Sequence, residues 1–148
     1  MTVAAGGSSS PSFYYQDTKA GAPTLTATAS GYTDATQTET VNAAPLATVT
    51  VSPSSTQLRV STSNTFSAEG GDRYGNLVPV TPTWSVSPML GTFSPNPANP
   101  TSFSAATIGT GTITATAGGV TGTASISVLP KKRRSGTPTT NLARAGTK

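Results

Sequence analysis

Few groups in this 148-residue chain could do chemistry. Its acids are Asp17, Asp34, Glu39, Glu69 and Asp72, and it has neither histidine nor cysteine. The missing imidazole removes the commonest general base and the commonest metal ligand. The missing thiol excludes disulfides, thiolate nucleophiles and cysteine-type zinc sites. A serine nucleophile would need a base, and no lysine lies between Lys19 and Lys131 to form a Ser–Lys pair. Glycoside hydrolysis needs two carboxylates across a cleft, whereas Glu69 and Asp72 share one Gly-rich stretch. The expectation is no catalytic residue, no cofactor and no enzymatic activity.

Three groups remain that could bind without reacting. The run Asp72-Arg73-Tyr74-Gly75-Asn76 offers oxygen ligands of the kind a hard cation such as calcium wants. It is equally turn chemistry, with an aspartate bonding its own backbone and a glycine supplying positive φ. Glu69 adds one carboxylate, too few for good affinity, so a turn and no metal are expected. Tyr74 is the candidate loop contact for a protein or a surface glycan. Tyr14, Tyr15 and Trp84 could extend a stacking platform, although Trp84 suits a core better. Lys131, Lys132, Arg133 and Arg134 form a candidate electrostatic patch for an acidic partner, with steep salt dependence. No aromatic residue interleaves that patch, so base stacking is not indicated.

Whatever positions these groups must be β. Ser and Thr supply 48 residues, and Thr and Val favour pleated, half-buried surfaces. Twelve prolines and fifteen glycines interrupt the chain every few residues, which suits short strands joined by turns. Residues 1–12 are Gly/Ser-rich and expected to be flexible. FYYQDT, TLTATAS and TQTETV are three candidate strands within residues 13–41, and Asn42–Pro45 is a short linker. Residues 46–129 carry seven or eight strand patterns with turn signals every 8–12 residues, which fits an antiparallel sandwich. Ala47, Val49 and Val51 are expected to point inward on the first strand, and NTFSAE is the second. The expected core is Val49, Val51, Leu58, Phe66, Trp84, Val86, Phe93, Phe103, Ile113, Ala115, Ala124, Ile126 and Val128. The segment PNPANP (residues 95–100) is expected to be an exposed turn, because proline cannot donate to a ladder.

Charge divides the chain unevenly. Residues 1–43 carry −2, residues 44–130 are neutral, and residues 131–148 carry +6. The neutral middle gives no sign of a nucleic-acid groove. No apolar run approaches the roughly 20 residues that span a bilayer. MTVAAGGSSSPSF has neither the basic start nor the apolar stretch of a signal peptide. A secreted parent would therefore make this chain a mature fragment, or a recombinant one whose Met1 is added.

One segment recurs. Residues 24–33 (TLTATASGYT) match residues 112–121 (TITATAGGVT) at seven of ten positions without a gap. Gly21 falls on Gly109 at the same offset of 88, the size of one immunoglobulin-like sandwich. The expected organisation is a flexible segment (1–12), the closing half of a preceding unit (13–43), a complete unit (44–130) and a basic tail (131–148).

Four motifs resemble the bacterial immunoglobulin-like modules of invasin- and intimin-type surface proteins. These are the opening strand LATVTVSPSSTQL, the loop Asp72–Asn76, the Trp84 strand TPTWSVSP and the closing hairpin GTGTITATAGGVTGTASISV. The resemblance implies an all-β immunoglobulin-like sandwich preceded by a partial module. It implies a non-catalytic structural or adhesion module of a bacterial surface or secreted repeat protein. The lysine–asparagine crosslink of some such modules is excluded, since residues 44–130 contain no lysine. Two alternatives stand beside this reading. One is a decoration protein on a phage capsid or tail. The other is a self-assembling homo-oligomer joined by strand exchange through residues 13–41, whose edges could pair with another chain.

Overall fold

The computed structural model describes Ser12 and residues 14–132. Among these residues every regular element is a strand: β1 (Thr24–Ala27), β2 (Ala35–Thr38), β3 (Leu46–Ser52), β4 (Ser55–Arg59), β5 (Ser63–Asp72), β6 (Leu77–Val78), β7 (Thr83–Ser87), β8 (Gly91–Ser94), β9 (Thr101–Ala105), β10 (Gly109–Ala117) and β11 (Val120–Leu129). Strands β3–β11 form two sheets. One runs β4-β11-β10-β7, and the other runs β3-β5-β9-β8 with β6 paired to β5. The all-β sandwich is as expected. It has nine strands because the first strand divides at Pro53 between the two sheets, and because Leu77–Val78 adds a short edge. The β4–β11 pairing is parallel, as it must be when a single opening strand crosses from one sheet to the other.

Period-2 alternation places one apolar face of each strand inward. The buried core comprises Val49, Val51, Phe66, Ala68, Trp84, Leu90, Phe103, Ala105, Ile113, Ala115, Ala124, Ile126 and Val128. Leu58, Val86 and Phe93 pack against it half-buried. Phe66, Trp84, Phe93 and Phe103 form one aromatic cluster. Trp84 stacks on Phe93 at 5.6 Å between centroids, and Phe66 meets Phe103 edge-on at 6.4 Å. Ala47 is a correction: it is exposed, because the β3–β5 register shifts between Leu46 and Thr48 and breaks the alternation there. Leu90 lies outside the strands and carried no periodic signal, yet it is only 2% exposed.

The PNPANP segment does more than turn the chain. On β5, the pairing with β9 ends at Phe66 and the pairing with β6 begins at Gly70. Asn99 fills that gap: its Oδ1 accepts from Ala68 N at 3.0 Å, and its Nδ2 donates to Ala68 O at 2.7 Å. Asn96 treats the free edge of β7 the same way, accepting from Trp84 N at 2.9 Å and donating to Trp84 O at 2.8 Å. The Trp84 indole N–H then donates to Ala98 O at 2.7 Å. Two side-chain amides thus satisfy the backbone where no strand is available.

Ahead of the sandwich, β1 and β2 form a separate antiparallel hairpin, extended by a bridge between Gly21 and Val41. The run FYYQDT is not a strand among the described residues. Its counterpart around Phe103 is β9, held by β5 and β8, and the hairpin has no equivalent of either. Asp17 curls the segment instead, accepting from Lys19 N at 2.9 Å and from the Tyr15 hydroxyl at 2.7 Å.

Candidate functional site

The loop Asp72–Asn76 is where the hairpin and the sandwich meet. Strand β5 runs further than NTFSAE, through Gly70 and Gly71 to Asp72. Glycine is required at 70 because a Cβ there would collide with the Val78 carbonyl of the neighbouring strand. The chain then turns tightly. Gly75 takes φ of +85° and donates its N–H to Asp72 O at 3.1 Å. Asp72 is only 4% exposed. Its Oδ1 accepts from Tyr74 N (2.8 Å) and Asn76 N (2.9 Å). Its Oδ2 accepts from Asn76 Nδ2 (2.7 Å) and from Ala44 N in the linker (2.8 Å). Asn76 reaches further, to the turn that Asp17 shapes. It accepts from Ala20 N at 2.8 Å and donates to Thr18 O at 2.7 Å. Two side chains of the sandwich therefore grip three backbone groups that lie before it in the chain.

The electrostatics follow from these bonds. Burial opposes the charge on Asp72. The Asn76 side-chain amide, then the N–H groups of Ala44, Asn76 and Tyr74, outweigh that burial and hold the carboxyl down at about 2. Asp17 is also held below the usual carboxylate range, first by the Lys19 N–H and then by the Tyr15 hydroxyl, and that same bond raises Tyr15. A carboxylate whose two oxygens already take four N–H donors is a fastener. Among the described residues no cluster of three or more acidic side chains could hold a metal ion.

Tyr74 is half exposed, with the Arg73 guanidinium 4.8 Å from its ring centroid, so one ring face is already covered. Trp84 lies in the core. Tyr14 is exposed, and Tyr15 is tied to Asp17. Lys131 and Lys132 are exposed, while Arg133 and Arg134 lie outside the described residues. A hollow of about 310 Å³ beside β5 and β6 is lined by Leu77, Val78, Pro79, Val80 and Asn99, with Glu69 its one titratable group. Sequence reasoning found the Asp72 turn but missed what it holds. The grip is on backbone groups of residues 18, 20 and 44, which leave no mark in side-chain identity.

No family model and no curated protein matches the chain. Solved structures do. Domains 1–6 of the surface layer protein SbsC superpose with TM-score 0.52 and 19% identity, covering 77% of this chain and 17% of that one. SbsC domains 4 and 5 give TM-score 0.51 and 19% identity, covering 73% of this chain and 66% of that one. Domains 4–9 give TM-score 0.51 at the same identity, over 76% and 18%. The chain thus spans about a sixth of the longer fragments. At this identity the likeness shows the fold alone, an all-β sandwich. The 77% covered is more than residues 44–130 alone could supply, so the superposition runs beyond the sandwich.

Proposed function

We propose that this chain is a non-catalytic structural module of a bacterial surface or secreted repeat protein, a spacer that holds its neighbours at a fixed angle. The observation that carries the reading is Asn76, which bonds the preceding segment through Thr18 and Ala20, beside Asp72, which fixes Ala44 where the unit begins. A neutral sandwich whose most buried carboxylate is spent on a joint is built for geometry. The likeness to a surface layer protein supports an extracellular or cell-surface location, and the invasin- and intimin-type resemblance supports the same class.

In this reading residues 44–130 are the complete unit, and residues 13–43 are the closing part of a preceding one. The backbone supports that relation. Gly31 and Gly119 have φ of +80° and +81°, and Gly21 and Gly109 have +158° and +155°. The Gly21–Val41 bridge repeats the Gly109–Val128 pairing, with one extra residue in the first turn. Register then places Gln37 and Glu39 where the sandwich buries Ala124 and Ile126. Those two positions are polar in the hairpin, so it shares the backbone register of the closing strands without their apolar face. Adhesion through Tyr74 and a virion location receive no independent support. An antibody against the sandwich should label intact cells that make the parent protein. Labelling that appears only after permeabilisation would contradict the surface reading.

A further inference from the structure

The sandwich closes strand edges with side chains. Asn96 and Asn99 satisfy β7 and β5, and Thr62 does the same for β4. Its N–H and hydroxyl donate to Arg59 O at 3.0 and 2.7 Å, and its Oγ1 accepts from Arg59 N at 3.1 Å. The hairpin is left open. Gly21 and Val41 exchange two bonds at 2.9 Å, and Glu39 N donates to Pro23 O at 2.9 Å. The odd-numbered residues of β1 therefore turn their backbone toward β2, and alternation turns Ala22, Thr24 and Thr26 outward. Asn76 takes the N–H of Ala20 just before them, and there its grip ends. Ala22, Thr24 and Thr26 are exposed, and among the described residues no strand pairs their outer side. The usual guards of a free edge are missing. Residues 20–33 carry no charge, the β1–β2 register has no bulge, and Pro23 lies on the inward-facing side.

We infer that the outer edge of β1 is an interaction surface for the same edge of a second copy, so that two hairpins join as one antiparallel sheet in the order β2-β1-β1-β2. The occupant follows from self-complementarity. With Thr26 on the two-fold axis, Thr24 stands opposite Thr28 of the other copy, and Leu25 stands opposite Ala27. Threonines then meet on one face and apolar side chains on the other, and no like charges meet. The sandwich shows the same strand taking such a neighbour. TLTAT (24–28) recurs as TITAT (112–116) in β10, where Thr112, Thr114 and Thr116 lie opposite Ser87, Ser85 and Thr83 of β7. The outer edge of β2 is the poorer surface, because Asp34 and Glu39 flank it. A two-stranded hairpin is marginal by itself, and two added strands supply what it lacks. The contact is isologous and closes at two copies, with every strand kept in its own chain.

The inference needs only the hairpin and does not rest on the surface-protein reading. Its test uses the full chain. Sedimentation velocity should show a dimer that grows with concentration and that salt leaves unchanged, since the paired edge carries no charge. Thr26→Lys and Thr26→Glu each set like charges opposite one another on the axis. Each should raise the concentration for half-dimerisation several-fold at low salt. Mixing the two variants sets opposite charges there and should restore the dimer, a recovery that a loss of folding cannot give. Thr38→Lys, on the outer edge of β2, should leave the dimer as it was. A chain that stays monomeric at every concentration would overturn the inference. So would a dimer that salt dissolves, one that both Thr26 variants form as readily as the native chain, one that mixing fails to restore, or one that Thr38→Lys weakens.

Discussion

Asp72 shows how a residue type that suggests a ligand can serve a joint. Its four hydrogen bonds come from three N–H groups of the backbone and one side-chain amide, and each favours the ionised form. The sign of the pH dependence follows. With the folded pKa at about 2 and the usual aspartate value at 3.8, the contribution is fully present above about pH 4 and is lost as pH falls toward 2. Asp17, also depressed, acts in the same direction. Denaturant midpoints measured from pH 6 to pH 2 should fall through that window. In Asp72→Asn the fall should be shallower, and equal slopes in the two proteins would refute the assignment. The turn was legible at this scale, because Asp-x-x-Gly-Asn is turn chemistry whatever surrounds it. Its distant partners were not, since backbone groups 28 to 58 residues away are set by topology and not by local composition.

Among the elements, alternation carried most of the information. Twelve of the thirteen residues of the buried core belong to strands whose period could be read, and Leu90 does not. Ala47 went wrong because a register shift changes which face a residue occupies, and nothing in LATVTVS marks it. PNPANP was legible as a segment that cannot pair, but not as one whose asparagines stand in for a strand. Two substitutions distinguish these roles. Trp84→Ala removes the largest ring of the aromatic cluster and should cost about 3–5 kcal/mol. Asn99→Ala leaves the Ala68 N–H and C=O without their partner and should cost about 1–3 kcal/mol, far more than a surface turn residue would. Thermal or denaturant unfolding measures both. A cost for Asn99→Ala within 0.5 kcal/mol of zero, as for ordinary surface changes, would mean that it bridges nothing.

For the whole molecule, the composition already argued against catalysis and for a neutral middle segment, and the fold superposes on domains of a surface layer protein. The repeat near 88 residues was also legible, though only as similarity. The structure adds that the hairpin keeps the backbone geometry of the closing strands while putting Gln37 and Glu39 in place of core residues. An element without a core must be held by something else, and here that is the grip of Asn76 on Thr18 and Ala20 together with that of Asp72 on Ala44. A fixed joint of this kind is the central claim. The most direct measurement is residual dipolar couplings from the full chain in weak alignment, fitted separately for residues 21–41 and 46–129. One shared alignment tensor is predicted for the native chain, with a reduced hairpin tensor in Asn76→Ala. Two different tensors in the native chain would contradict it.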